Sequence, residues 1–263
     1  MARIVEGVPA LLLERPARAL VVADLHLGFE EEMRSRGVNI PPQSPRIVGV
    51  LGEECRRANA GRLYILGDLK HTFTGSSGLE RRMLKPLMER LRRHVSEIVV
   101  IPGNHDGGLR DLISDVVEIA PAKGVYIEEE DLLLTHGHVK PDPSHLNAGR
   151  IVTGHLHPVL RLGVGPESVR FRVWLRLVGE RARLYKRLTG VKRPKVRGAV
   201  ELLVMPSFNE MMTGRSVTEL GNEPRGRGPI LSSGAFNFDE AEVLTLEGVS
   251  LGTLGYLRGG AGW

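Results

Sequence analysis

Residues 98–106 read Ile-Val-Val-Ile-Pro-Gly-Asn-His-Asp. Four β-branched apolar residues run through Pro-Gly into three side chains able to bind a cation or move a proton. A short apolar run closed by Gly or Pro is the pattern of a strand buried on both faces. The arrangement recurs along the chain. Ala19-Leu-Val-Val-Ala23 leads to Asp24-Leu-His26, and Leu63-Tyr-Ile-Leu66 leads to Gly67-Asp68. Leu132-Leu-Leu134 leads to His136-Gly-His138, and Ile151-Val152 leads to Gly154-His155-Leu-His157. The segments between read as helices. Ser44-Pro45 supplies an N-cap and a first-turn proline for a helix to about Ala58. Leu84, Leu87, Met88, Leu91 and Val95 fall at helical spacing within Leu79–Val95. Strands alternating with helices predict an α/β layered fold, where ligands gather beyond the carboxyl ends of the strands.

The motifs and their surroundings hold seven of the nine histidines, His26, His71, His105, His136, His138, His155 and His157. Neutral imidazole is the commonest protein metal ligand near neutral pH. Carboxylate, imidazole and an amide oxygen without thiolate suit Mn²⁺, Fe or Zn²⁺ in a reactive centre, not a closed structural zinc site. Taken singly the residues have plainer readings. Asp24 alone would cap a helix beginning near Gly28, and Asn104 alone would be a turn residue. His138 stands between a supporting hydrogen bond and a substrate contact. His94 and His145 lie outside the motifs and are expected to face solvent. Cys55, the one cysteine, has no partner for a disulfide or a zinc site.

Taken in order, D-x-H, G-D, G-N-H-[DE], H and G-H-x-H resemble the signature of the calcineurin-like metallophosphoesterase superfamily. The resemblance implies a layered α/β/β/α sandwich of two mixed sheets flanked by helices, with Val200–Met205 and Ala241–Leu246 as strands of the second sheet. It implies that Asp24, His26 and His157 hold one metal, Asn104, His136 and His155 the other, and that Asp68 bridges them. The two divalent ions would be Mn²⁺ first, with Fe, Zn²⁺ or Ni²⁺ as alternatives. His105 then protonates the leaving oxygen or stabilises the transition state, with Asp106 fixing its tautomer. Gly67-Asp-Leu-Lys-His71 departs from the arginine-bearing stretch of the protein phosphatases and is similar to the SbcD-like nuclease branch, where the histidine lies beside the substrate phosphate. The likeness is to short stand-alone SbcD-related (ICC-like) phosphoesterases, some associated with a DNA helicase or ligase, and implies a DNA-repair setting. It implies a nuclease-like phosphodiesterase. A phosphomonoesterase, a cyclic-nucleotide phosphodiesterase or a non-catalytic scaffold of the same fold are the alternatives.

Composition and charge set the remaining expectations. At 263 residues and 41% apolar, the chain is read as one metallophosphoesterase domain over 1–263. No apolar stretch approaches the roughly 20 residues that span a bilayer. Glu14, Arg15 and Pro16 break the only N-terminal apolar run, so no signal peptide and a cytoplasmic location are expected. Net charge is +5, with eleven basic residues against Glu180 between Arg170 and Arg197. Alternation over 170–177 predicts one strand, with Arg170, Arg172, Trp174 and Arg176 on a basic face suited to a nucleic-acid backbone. Gly221-Asn-Glu-Pro-Arg-Gly-Arg-Gly-Pro229 predicts a long loop.

Overall fold

The computed structural model describes residues 2–259 except 74, 164–166, 213, 215 and 221–226. Each apolar run quoted above is a strand. In chain order the elements begin with β1 Arg3–Ile4, β2 Leu11–Leu13, β3 Ala19–Ala23, α1 Phe29–Ser35, α2 Ser44–Arg57, β4 Arg62–Leu66, α3 Gly78–Leu91 and β5 Glu97–Ile101. There follow α4 Leu109–Ile113, β6 Glu118–Ile119, β7 Val125–Ile127, β8 Leu132–Thr135, β9 Arg150–Thr153, β10 Val159–Leu162, β11 Val169–Arg172 and β12 Trp174–Glu180. The last are α5 Arg181–Thr189, β13 Ala199–Val204, α6 Gly228–Leu231, β14 Glu242–Leu244, β15 Ser250–Thr253 and α7 Leu254–Gly259.

Two mixed sheets result. The first runs β1-β2-β3-β4-β5-β6, parallel from β3 onward. The second runs β15-β14-β12-β13-β9-β8-β7, with β13, β9 and β8 parallel and the outer pairs antiparallel. Alternate residues of each strand point to opposite faces, and both faces are covered. Val21, Tyr64, Leu66, Val99 and Ile101 of the first sheet meet Leu134, Val152, Trp174 and Leu203 of the second in the central core. Leu20, Val22, Ile65 and Val100 turn outward onto Leu51, Leu84 and Met88 of α2 and α3. Leu175, Leu177 and Leu202 turn the other way onto Leu184 and Leu188 of α5 and Ile230 of α6. The layers are therefore helix, sheet, sheet, helix. Among the described residues no helix is long and apolar enough to cross a membrane.

Three local expectations change. Ser44 begins α2 without capping it: its hydroxyl accepts from Gly28 N at 2.8 Å and donates to Glu30 Oε2 at 3.0 Å, tying α2 to the start of α1. Residues 170–177 are not one strand. The chain leaves the β10–β11 hairpin after Arg172 and enters the second sheet at Trp174, so Val173 is a break. That break puts Trp174 in the core at 0% exposure. Of the long loop expected over 221–229, residues 221–226 lie outside the described residues, and Gly228 begins α6.

Candidate metal centre

Asp24 and His26 follow β3, Asp68 follows β4, and Asn104 and His105 follow β5; His136 follows β8, and His155 and His157 follow β9. All sit beyond the carboxyl ends of their strands, and the two sheets bring these ends together. The turns are tight. Asp24, His26, Asp68, His155 and His157 all have positive φ, at 58°, 45°, 49°, 70° and 48°. A non-glycine residue in this region costs on the order of 1–3 kcal/mol and persists only where its surroundings over-determine it.

The surroundings do so here. His26 N donates to the Asp68 carbonyl at 2.8 Å, His155 N donates to the Asp24 carboxylate at 3.1 Å, and His105 N donates to Asp68 Oδ1 at 2.9 Å. A strap after β13 closes the third side. The Ser207 hydroxyl donates to the Asp24 carbonyl at 2.7 Å, and Asn209 Nδ2 donates to the Leu25 carbonyl at 3.0 Å. Gly103 is required by the packing, because a Cβ there would collide with the Asp68 carboxylate and backbone.

Three groups of side chains could hold a cation, two of them joined at Asp68 and a third formed by His26, His71 and His105. Asp24, His26, Asp68 and His157 offer ligand atoms within 4.8 Å of one another, as do Asp68, His136 and His155. In the first group His26 Nε2 lies 3.3 Å from His157 Nε2, and His157 Nε2 lies 3.3 Å from Asp24 Oδ1. In the second, His136 Nε2 stands 3.5 Å from Asp68 Oδ2 and 3.2 Å from the Asn104 amide oxygen. His136 Nδ1 donates to the Leu66 carbonyl at 2.8 Å, which leaves Nε2 as the free nitrogen.

The electrostatics suit a cation. Burial presses His26 down to about 2 and His155 to about 4, so both imidazoles are neutral and ready to ligate. Burial favours the neutral acid of Asp24, but His157, His136 and His26 outweigh it and bring the carboxyl to about 2. His157 moves the other way: burial opposes its charge, yet the Asp24 carboxylate beside it raises its pKa. Burial raises Asp68, which also lies close to Asp24 and Asp106. Buried carboxylates with the imidazoles of His26 and His155 held neutral, and the His26 and His157 ring nitrogens facing each other at 3.3 Å, have the donor chemistry of a divalent-metal site.

His71 and His105 stand at one end of this cluster. The His105 Nδ1–H donates to the His71 carbonyl oxygen, and the two rings stack with centroids 5.8 Å apart. Asp106 does not serve His105 in the way expected. Its carboxylate accepts from Gly103 N at 2.8 Å and Lys70 N at 3.2 Å, so it ties two ligand-bearing turns together. The tautomer of His105 is set by the carbonyl instead. Both ring nitrogens of His71 are engaged, Nδ1 3.3 Å from His26 Nδ1 and Nε2 paired with Glu32. Glu80 fixes this loop by accepting from the backbone N–H groups of His71 and Thr72, at 3.0 and 2.7 Å.

Glu32, Glu80, Ser207 and Asn209 were not legible as site residues. Only Glu80 carries a local signal, the Ser77–Glu80 capping box of α3. His138 packs on His136 with centroids 5.1 Å apart but joins none of the ligand groups. His94 and His145 are half-buried instead of solvent-facing, His94 against Gly52 and His145 stacked on Tyr126. The basic face over 170–176 is absent as well. Arg172 donates to the Ser207 and Phe208 carbonyls at 3.1 and 3.0 Å, Arg176 pairs with Glu242, and Trp174 is in the core.

A groove of about 360 Å³ opens beside His71 and His105. Its described walls include Glu31, Glu32, Ser35, Thr72 and Phe73, with no Lys or Arg among them. Phe73 is 60% exposed and meets the His105 ring edge-on at 5.3 Å.

The family model of the calcineurin-like phosphoesterases matches residues 17–171, which carry every motif described. Among solved structures the chain is similar to the nuclease MPE of Pseudomonas putida. The identity is 18% and the TM-score 0.51, over 94% of this chain and 98% of that one. Yfce, a phosphoesterase from E. coli, is also 18% identical, with a TM-score of 0.38 over 89% of this chain and 96% of its own. No curated protein matches the sequence. With the two-sheet sandwich, the shared Asp68 and the family match in agreement, the chain is a metal-dependent phosphoesterase and belongs to the calcineurin-like phosphoesterase family.

Proposed function

We propose that this phosphoesterase cleaves phosphodiester bonds in nucleic acid with two divalent cations, Mn²⁺ the first expectation. The observation that carries the diester reading is the groove, whose described walls bear Glu31 and Glu32 and no Lys or Arg. A monoester brings about 1.5–2 negative charges near neutral pH, whereas a diester brings one. Walls that carry Glu31, and Glu32 already paired with Arg36 and His71, with no Lys or Arg of their own, favour the smaller charge. Phe73 supports a nucleobase beside the scissile bond, since an exposed ring stacks on any base. A DNA-repair role beside a helicase or ligase, in the cytoplasm, belongs to the same reading and rests on resemblance.

Asp24, His26, Asp68 and His157 would hold one cation, and Asp68, Asn104, His136 and His155 the other. Such a pair supplies polarisation of the phosphoryl oxygens and a lowered pKa for the attacking water. The protein's own part is positional and acid–base. His105, with Nδ1–H held by the His71 carbonyl, presents Nε2 as the nitrogen that, in the imidazolium form, would deliver its proton to the leaving oxygen and leave the neutral ring. His71 positions the centre through both ends, its ring against His26 and its carbonyl against His105. Asp106 and Glu80 keep the ligand-bearing turns in register.

A substrate panel with Mn²⁺ tests this: bis-p-nitrophenyl phosphate, p-nitrophenyl phosphate, cyclic nucleotides, and single- and double-stranded DNA and RNA. Diesters and oligonucleotides should be cleaved well ahead of the monoester. Monoester hydrolysis far faster than diester hydrolysis, with oligonucleotides untouched, would leave a small-molecule phosphatase in place of this reading.

A further inference from the structure

The basic residues of 181–197 have no assigned purpose, and the fold places them away from the metal centre. β13 ends at Val204 beside Thr153, just before the strap and His155, so the metal centre lies at that end of the sheet. β12 is antiparallel to β13, pairing Glu180 with Ala199 at the other end. Six residues of strand at about 3.3 Å each put that end roughly 20 Å from the ligand-bearing turns. Arg181 N donates to the Gly198 carbonyl there, at 3.0 Å, so α5 and the loop 190–198 both depart from this end.

From Arg181 to Arg197 there are eight basic residues and no acidic one. Arg181 and Arg197 donate to the Ala199 and Pro194 carbonyls. Glu180 immediately precedes α5, and Asp131 flanks Gly149 together with Arg181. Arg183, Lys186, Arg187, Lys192, Arg193 and Lys195 are exposed, and none of their charged groups has an ion-pair partner among the described residues. Arg183, Lys186 and Arg187 share one helix face by their spacing of three and four. Leu184 and Leu188 of the same helix are buried in the core.

We infer that this surface is a second, non-catalytic binding site for a nucleic-acid backbone. The chemistry favours that polyanion over other acidic partners. A membrane-surface helix would keep Trp, Phe or Leu facing the lipid, and here the helix's leucines face the core. A protein interface would need an aromatic or apolar centre. Val191, 44% exposed, is the only large exposed apolar residue of the segment. A surface of arginine and lysine with almost no apolar part suits phosphate contacts made with release of counterions. Its distance from the metal centre gives it the task of anchoring a long substrate or product strand, not of gripping the bond being cut.

The test is fluorescence anisotropy of a labelled DNA duplex bound to the full chain in EDTA, titrated with salt from about 50 to 200 mM. The variant carries Arg183→Glu, Arg187→Glu, Lys192→Glu and Arg193→Glu, with the four Gln replacements as a gentler companion. Bis-p-nitrophenyl phosphate hydrolysis under Mn²⁺ should be unchanged in both and reports that they fold. Reversal should weaken DNA binding by at least about tenfold and flatten the log–log salt slope by about 0.9 for each phosphate no longer neutralised. Wild-type affinity and slope in the variant would overturn the inference. So would unchanged DNA binding with lost binding to anionic vesicles or polyglutamate, which would reassign the surface. DNA bound through this face but never cleaved would sink the nucleic-acid substrate reading alone; DNA cleaved with an unaltered slope would do the reverse.

Discussion

His105 and His71 are joined through the backbone, the imidazole Nδ1–H of one donating to the carbonyl oxygen of the other while their rings stack at 5.8 Å. A carbonyl only accepts, so the proton on Nδ1 is fixed and Nε2 is the nitrogen left for chemistry. The His71 carbonyl is itself placed by Glu80, which holds the adjoining backbone N–H groups. A helix-capping carboxylate thereby sets the orientation of the proposed acid.

Replacing His105 by Ala should lower turnover of bis-p-nitrophenyl phosphate by about 10²–10⁴, the usual worth of a positioned acid or base. Metal content should stay close to wild type, because His105 lies outside the two groups that meet at Asp68. Asp68→Ala should lose metal together with activity. Elemental analysis of reloaded protein checks both, and equal metal loss in the two variants would contradict the assignment.

Asn209→Ala removes the amide that holds the Leu25 carbonyl and accepts from Met211 N at 3.0 Å. Leaving buried polar groups unpaired costs about 1–3 kcal/mol. A chain of this size should show it as a Tm lower by roughly 2–4 °C per kcal/mol. The left-handed Asp24 turn should also loosen, so metal affinity should fall although Asn209 touches no ligand side chain. Calorimetry in chelator and a competition titration with a metal indicator separate the two effects. Stability lost with metal affinity intact would show that the strap supports the fold alone.

Metal-free protein should lose stability on mild acidification. Burial lowers His155 and His138 to about 4 and His26 to about 2, while an unfolded chain binds those protons near the ordinary histidine value of about 6.5. The unfolded state thus holds more protons between about 4 and 6.5, and stability rises with pH through that window. Two groups oppose this: His157, raised by Asp24, which acts only above about 6.5, and Asp68, raised by burial, which acts above its ordinary value; they stand against three histidines. Thermal melts in chelator at pH 7.5 and pH 5 should show the lower Tm at pH 5. An equal or higher Tm at pH 5 would mean that these imidazoles are not held neutral.

The sequence by itself determined the strands that carry the motifs, the turns behind them and the identities that gather at Asp68. Each motif stands directly behind its own apolar run, so the step from residue to place is local: a strand ends, a tight turn follows, and the side chain is delivered at the sheet's edge. Tertiary structure alone decided the partners. Asp106 reads as the neighbour of His105, yet the loop geometry turns it to Gly103 N and Lys70 N. Alternation over 170–177 is genuine, but a break at Val173 carries the chain between sheets and sends Trp174 into the core. Ser207 lies 183 residues from the Asp24 carbonyl it binds, a pairing without local periodicity to announce it. Hydrogen bonds of that reach form because two sheets pack face to face and bring their carboxyl ends together. Only that packing selects which polar groups meet.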